Sequence, residues 1–357
     1  MCGSPTAPAS QQARARPVAE TPTPAAAAPR APARTQEDTT SRRARQIARY
    51  GVPVAIVATF VVFSVLRPDS FFTELTIKGI LRDCVPLMIV ALGITAVLAM
   101  NDYDLSAGGL VSLCATAVIV LMASEYAGLN WVLAIFLTIG IGGLLGLTNG
   151  VLIAYVRLPS FILTIASGTV FAGLALQITD SQSVYEGIPQ GFMDLASGTV
   201  FGFSNQVYIG LAVLVVAHVF LRHTEQGRYM YAVGGNPEAA RLAGVRVQRL
   251  RAAGFGLVGV AAAISGILIN SAAGASNPNT GLGLLLPAYA AAFLGSSMFR
   301  VGVFTPLGTA LGALYLQIIG TGLTILSLAG PVVQMIQGGI LIGAVLVSRL
   351  TRPDEQR

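Results

Sequence analysis

Residues 131–156 read WVLAIFLTIGIGGLLGLTNGVLIAYV, a run without a single Asp, Glu, Lys or Arg. A helix needs about 20 mostly apolar residues to cross the ~30 Å hydrocarbon core of a bilayer, and this run exceeds that. It also carries Gly140, Gly142, Gly143 and Gly146, small residues that let helices approach where apolar burial gives no driving force. Gly302, Gly308 and Gly312 repeat the pattern nearer the carboxyl end. Close helix packing is one reading of these glycines; the lining of a conduction path is the other.

Working outward, comparable apolar runs cover 50–67, 85–101, 107–126, 161–178, 206–221, 252–271, 285–300, 304–326 and 330–349. The fold class that follows is an all-α polytopic membrane protein of about ten transmembrane helices. Composition agrees: of 357 residues, 54% are hydrophobic and 11% charged, where a soluble domain carries roughly 25% charged residues. So few charges cannot clothe a soluble surface. Whole-chain disorder, a nucleic-acid-binding domain and a disulfide-stapled secreted module are excluded on the same ground. Cys2, Cys84 and Cys114 form no spaced pair for a disulfide or a metal.

Charge placement gives an orientation, because Lys and Arg resist translocation. With ten spans and the amino terminus inside, 19 of the 22 Lys and Arg residues fall on the cytoplasmic side, leaving Arg67, Lys78 and Arg82 outside. Both termini are then cytoplasmic. The 179–205 loop, with Asp180, Glu186 and Asp194 but no Lys or Arg, is external. Residues 1–46, rich in Ala and Pro, read as a disordered cytoplasmic tail. Residues 47–350 form the transmembrane domain and 351–357 a short cytoplasmic end.

The basic cytoplasmic loop 222–251 contains TEQGRYMYAVGGNPEAARLAGVRVQRLR over 224–251. Gly234 and Gly235 permit a tight turn, Asn236 can cap the next helix, and Pro237 suits a first turn. Glu238 stands where the helix dipole favours an anion. About two turns follow through Ala239, Ala240 and Arg241 before Gly244 ends the helix. A helix this short is marginal alone in water, so neighbouring spans or a partner surface must hold it.

These residues carry a resemblance. Glu238-Ala239-Ala240 followed by Gly244 is similar to the coupling motif of ABC importer permeases, and GRYMYAVGGNPEAARLAGV resembles the cytoplasmic loop of their ribose-type sugar branch. The likeness covers most of 50–350. It implies a bacterial plasma (inner) membrane subunit that pairs with a second copy and receives sugar from an extracytoplasmic binding protein. It further implies that Gly235, Asn236, Pro237, Glu238, Ala239, Ala240, Arg241 and Gly244 dock on a separate ATPase, with Arg246 nearby. ATP and Mg belong to that ATPase, and no cofactor is expected on this chain.

Three other segments resemble the family. In ALGITAVLAMNDYDLSAGGLVSL (91–113), Asp104, Leu105, Ser106 and Gly108 match, while Asn101 and Asp102 replace a glycine pair. Asp104 and Ser106 open an apolar helix and either cap it or take part in gating; Asp102 is read as solvated. In NGVLIAYVRLPSFILTIASGTVFAGLAL (149–176), Ser160, Thr164 and Ser167 fall near one face, and they bond across helices or line a polar path. In ISGILINSAAGASNPNTGLGLLLPAYAAAFLGSSMFRVGVFTPLGTALGAL (264–314), Pro287 precedes Ala288 and Tyr289 where many members carry an acid. Candidate path residues are Asn149, Ser160, Thr164, Gln177, Asn270, Tyr289 and Gln334.

The chain lacks G-x-x-x-x-G-K-[ST], so a P-loop ATPase is not encoded in it. His218 and His223 have no acidic metal-ligand partner at informative spacing. Transport rather than catalysis is the function expected. The permease of a monosaccharide or polyol importer leads; a branched amino-acid importer permease and an ion-driven secondary transporter are the alternatives, with a membrane enzyme or scaffold more distant.

Overall fold

The computed structural model describes residues 53–123, 127–185, 187–299 and 302–350. The tail read at 1–46 and the end at 351–357 lie outside them. In chain order the helices are α1 (Pro53–Leu66), α2 (Pro68–Phe71), α3 (Glu74–Leu98), α4 (Ala107–Met122), α5 (Trp131–Tyr155), α6 (Ser160–Ile178) and α7 (Gln190–Ser197). After a two-strand hairpin come α8 (Asn205–His223), α9 (Glu225–Gly235), α10 (Pro237–Leu242), α11 (Val247–Ala273), α12 (Leu285–Ser296), α13 (Pro306–Ile325) and α14 (Gly330–Leu350). Polar side chains set several starts: Thr73 accepts from the Thr76 amide, Asn130 from Val132 and Thr305 from Gly308, each satisfying a donor the helix leaves free.

Six helices, α3, α5, α6, α8, α11 and α13, are long and apolar enough to cross a membrane. Shorter apolar helices at Pro53–Leu66, Ala107–Met122, Leu282–Ser296 and Gly330–Gly343 occupy the other apolar runs. Two of these are short for a visible reason. The start of α4 at Gly108 lies against the Gly281 carbonyl and Leu285, and the Gly281 amide donates to Ser112 Oγ at 3.0 Å. α4 and α12 therefore begin against each other inside the bundle, α4 after a non-helical turn and α12 after one short 3-10 turn at Leu282–Leu284. At 1.5 Å per residue they measure only about 24 and 18 Å. The runs 107–126 and 285–300 look like full spans in sequence because hydropathy does not register where the chain enters.

α3 and α11 form the buried centre, while α5, α6 and α8 turn most of their surface outward. α5 crosses α11 without intervening side chains: a Cβ on Gly146 would strike the Phe255 carbonyl, and one on Gly259 the Gly142 carbonyl. Gly308 and Gly312 pack likewise on Gly295 and Ala291 of α12. Gly140 faces open space. Gly302, grouped with the packing glycines from its sequence, instead turns the chain before α13 with φ +81°. Gly146→Val should cost about 1–3 kcal/mol by overpacking, seen as a lower melting temperature in detergent, whereas Gly140→Val should leave it unchanged.

The 179–205 loop carries secondary structure of its own. α7 is held by Ser271, whose Oγ donates to the Phe192 carbonyl at 2.6 Å and accepts from the Ala196 amide at 2.9 Å. The hairpin, Thr199–Val200 with Phe203–Ser204, turns at Phe201 and Gly202, both at positive φ, as a two-residue hairpin turn requires.

Candidate functional site: a capped surface helix and a buried polar cluster

The 222–251 loop folds into two short helices pressed on the ends of the long ones. α9 is amphipathic: Gly227, Met230 and Val233 are buried, at the spacing of one helical face. Gly234 and Gly235 form the last turn of α9 rather than the tight turn expected of them, and Gly234 lies so close to the Ala99 carbonyl that a Cβ would not fit. The break falls at Asn236, in extended backbone. Its Oδ1 accepts from the amides of Glu238 and Ala239, both at 3.0 Å, and Pro237 takes the first helical position. Gly244, at φ +87°, ends the unit.

The two faces of α10 differ. Ala240 joins Ala96, Met100, Leu221, Met230, Val233, Val247 and Leu250 in one apolar cluster, which ties α10 to the membrane helices. Gly235, Asn236, Pro237, Glu238, Ala239, Arg241 and Gly244 are exposed, and Leu242 is 90% exposed. A six-residue helix is thus capped, anchored by one alanine and presented outward with a bare leucine among charged neighbours.

Inside the bundle, residues far apart in sequence meet around the 99–106 turn. Asp104 Oδ1 accepts from the Ser106 amide at 2.9 Å and from Ser106 Oγ at 2.5 Å. Asn149 Nδ2, from α5, donates to Ser106 Oγ at 3.1 Å and to Ser167 Oγ at 2.9 Å. The Leu105 amide donates to Thr164 Oγ1 at 3.1 Å, and Thr164 Oγ1 donates to the Ser160 carbonyl at 2.7 Å. From α12, Tyr289 Oη accepts from the Asp104 amide at 2.9 Å, and its ring stacks on Tyr103. Ser106 is the residue before α4 but makes no side-chain cap there; the carboxylate braces the turn ahead of the helix.

This cluster is packed rather than open. Asp104, Ser106 and Thr164 are fully buried, and Asn149 and Tyr289 nearly so. Asp104 Oδ2 is buried without a hydrogen-bond partner, an orphan that costs free energy unless its surroundings rearrange or something reaches it. Thr164 and Gly168, which touch the turn, stand about 6 and 12 Å along α6 from Ser160 at 1.5 Å per residue. An acid that looks like a span-end residue in sequence therefore lies within the helix layer.

The remaining path candidates are elsewhere. Gln177 is exposed near the far end of α6, and Gln334 is exposed on α14. Asn270 is buried and donates to the Ala115 carbonyl at 2.6 Å, joining α11 to α4.

Asp102 corrects the sequence reading. It is 4% exposed rather than solvated, and it accepts from Arg251 Nε at 2.6 Å and from a terminal guanidinium nitrogen at 2.5 Å. This two-pronged pair links the turn bearing Asp104 to the first turns of α11, shortly after α10. Nothing in local spacing joins residues 102 and 251. The available signal was an acid at a span end, which calls for a partner wherever it is buried.

Comparison with known proteins places this geometry. The family described as the branched-chain amino acid transport system permease component matches residues 76–345. The chain is 32% identical over 306 residues to the L-arabinose ABC transporter permease protein AraH of Azospirillum brasilense, covering 86% of this chain and 89% of that protein. It is 29% identical over 297 residues to the ribose import permease protein RbsC of Escherichia coli (strain K12), covering 82% and 91%. It is 31% identical over 307 residues to the autoinducer 2 import system permease protein LsrD of Escherichia coli (strain K12 / DH10B), covering 84% and 92%. With a family match across most of its length and relatives that are import permeases, this chain belongs to the branched-chain amino acid transport system permease family, beside the ribose-type branch its 224–251 segment resembles.

Proposed function

We propose that this chain is the membrane permease of an ATP-driven importer of a monosaccharide or related polyol, paired with a second copy in the bacterial inner membrane. Its chain crosses the membrane ten times with both ends cytoplasmic, α4 and α12 completing their crossings together with the segments that lead into them. A separate ATPase, carrying ATP and Mg, binds the 236–244 helix, and an extracytoplasmic binding protein delivers the sugar. The observation that carries this reading is α10: a capped helix, fixed to the body at Ala240, that exposes Glu238, Arg241 and Leu242. An ordinary linker has no need of so firm an anchor under so exposed an apolar tip.

In this reading the Asp104–Ser106–Asn149–Thr164–Tyr289 cluster is the gate along the path. It is closed as described, and its hydroxyl and amide groups replace water around a neutral polyol when it opens. The orphan oxygen of Asp104 also gives the ion-driven alternative a specific observation, since secondary transporters place acids within the membrane. The family description keeps a branched amino acid in view as cargo.

One experiment separates these. The chain, its ATPase and its binding protein are reconstituted in vesicles and offered arabinose, ribose and leucine, with ATP or with an ion gradient alone. Sugar uptake that needs both ATP and binding protein is the expected result. Gradient-driven uptake without ATP would overturn the reading, and leucine as the only cargo would replace the sugar.

A further inference from the structure

A cleft of about 490 Å³ opens at the cytoplasmic ends of α5, α6 and α11, and its polar lining is Arg157, Ser160, Arg241, Gln248 and Arg251. No Asp or Glu lines it. Arg251 is committed to Asp102. Arg157 and Arg241 are exposed, and neither has an ion-pair partner among the described residues. Topology explains why each is cytoplasmic. It does not explain why an arginine from the α5–α6 corner and one from α10 converge on one cleft, with Arg157 in left-handed backbone at φ +64°, a conformation costly for a residue with a Cβ.

The rim names the ligand class. Phe161, which lines the cleft, is 56% exposed, and Tyr155 and Ile162, close to it in sequence on the adjoining ends of α5 and α6, are 54% and 66% exposed; the outward faces of both helices are apolar. A soluble anion would use the guanidinium groups and leave this rim idle. A phospholipid uses both, its phosphate among the arginines and its acyl chains along α6, as basic pockets between helices on the cytoplasmic side do. We propose that this cleft binds the phosphodiester headgroup of an anionic membrane phospholipid. Because Arg241 belongs to α10, the bound headgroup would tie that helix to the α5–α6 corner, so the lipid would influence how firmly α10 is held. The proposal stands independently of which cargo the chain carries.

The full chain is purified in non-ionic detergent and titrated by native mass spectrometry with phosphatidylglycerol, phosphatidylcholine and inorganic phosphate. Phosphatidylglycerol should bind in preference to phosphatidylcholine. The Arg157→Asn/Arg241→Gln double variant should weaken phosphatidylglycerol by about twenty-five-fold, at about fivefold per arginine; Asn is chosen at 157 because it tolerates left-handed backbone. Arg228→Gln/Arg249→Gln, exposed cytoplasmic arginines outside the cleft, should retain wild-type binding. If the first double variant fails to fold, Arg241→Gln alone should show the fivefold loss. Equal affinity for the two lipids, unchanged binding in the cleft variants, or full displacement of phosphatidylglycerol by inorganic phosphate would overturn the proposal.

Discussion

Replacing Arg251 with Met destabilises the folded chain by about 3 kcal/mol, the lower end of the range for stripping one partner from a buried ion pair. Replacing Asp102 with Asn costs clearly less, and combining the two recovers most of the loss. The asymmetry follows from exposure: the side chain of Asp102 is 6% exposed, that of Arg251 32%. Without Arg251, the carboxylate is left in a poorly solvated place with two unsatisfied oxygens. Without the charge on Asp102, the guanidinium can still reach water. Unfolding of the four proteins in one detergent closes the cycle. Equal single-variant losses would sink the burial argument, and additive ones would deny the coupling. The same strut carries the Asp104 turn, so uptake should fall more steeply than stability in Arg251→Met.

Leu242→Asp produces the opposite profile. Leu242 is 90% exposed and touches little of its own chain, so the melting temperature stays within the small range of surface substitutions. If α10 docks on the ATPase, that leucine is the large apolar group available to fill a partner pocket. Its loss should then weaken the complex by about 2 kcal/mol, about thirtyfold in affinity, and ATP-driven uptake falls with it. Co-purification of the two subunits and vesicle uptake measure the two effects. A complex of unchanged affinity would show that the ATPase binds elsewhere.

What sequence alone discloses here depends on range. The Asn236 cap, Pro237 at the first turn and Gly244 at the end are settled within a few residues of one another, so local chemistry reveals them. Membrane character is equally local, because any apolar run longer than a bilayer is thick declares itself. Asp104 and Tyr289 are 185 residues apart and Asp102 and Arg251 149; no period or motif links such pairs, and only packing does. Gln177 and Gln334 show the converse. A carboxamide in an apolar run attracts attention, but α6 is apolar all round, so its sequence does not disclose which side meets the bundle. Gly302 resembles its neighbours Gly308 and Gly312 in everything except backbone angle.

The crossing of α5 and α11 has a mechanical consequence. Where side chains separate two helices, rotamers can absorb a displacement before it reaches the other side. Between Gly142, Gly146 and Gly259 backbone meets backbone, and a close-packed contact of that kind has no slack to take up. A displacement of the α10-side end of α11 should therefore carry α5 with it, and with α5 goes Asn149. The glycines make the pair a single stiff unit, one end of which adjoins α10.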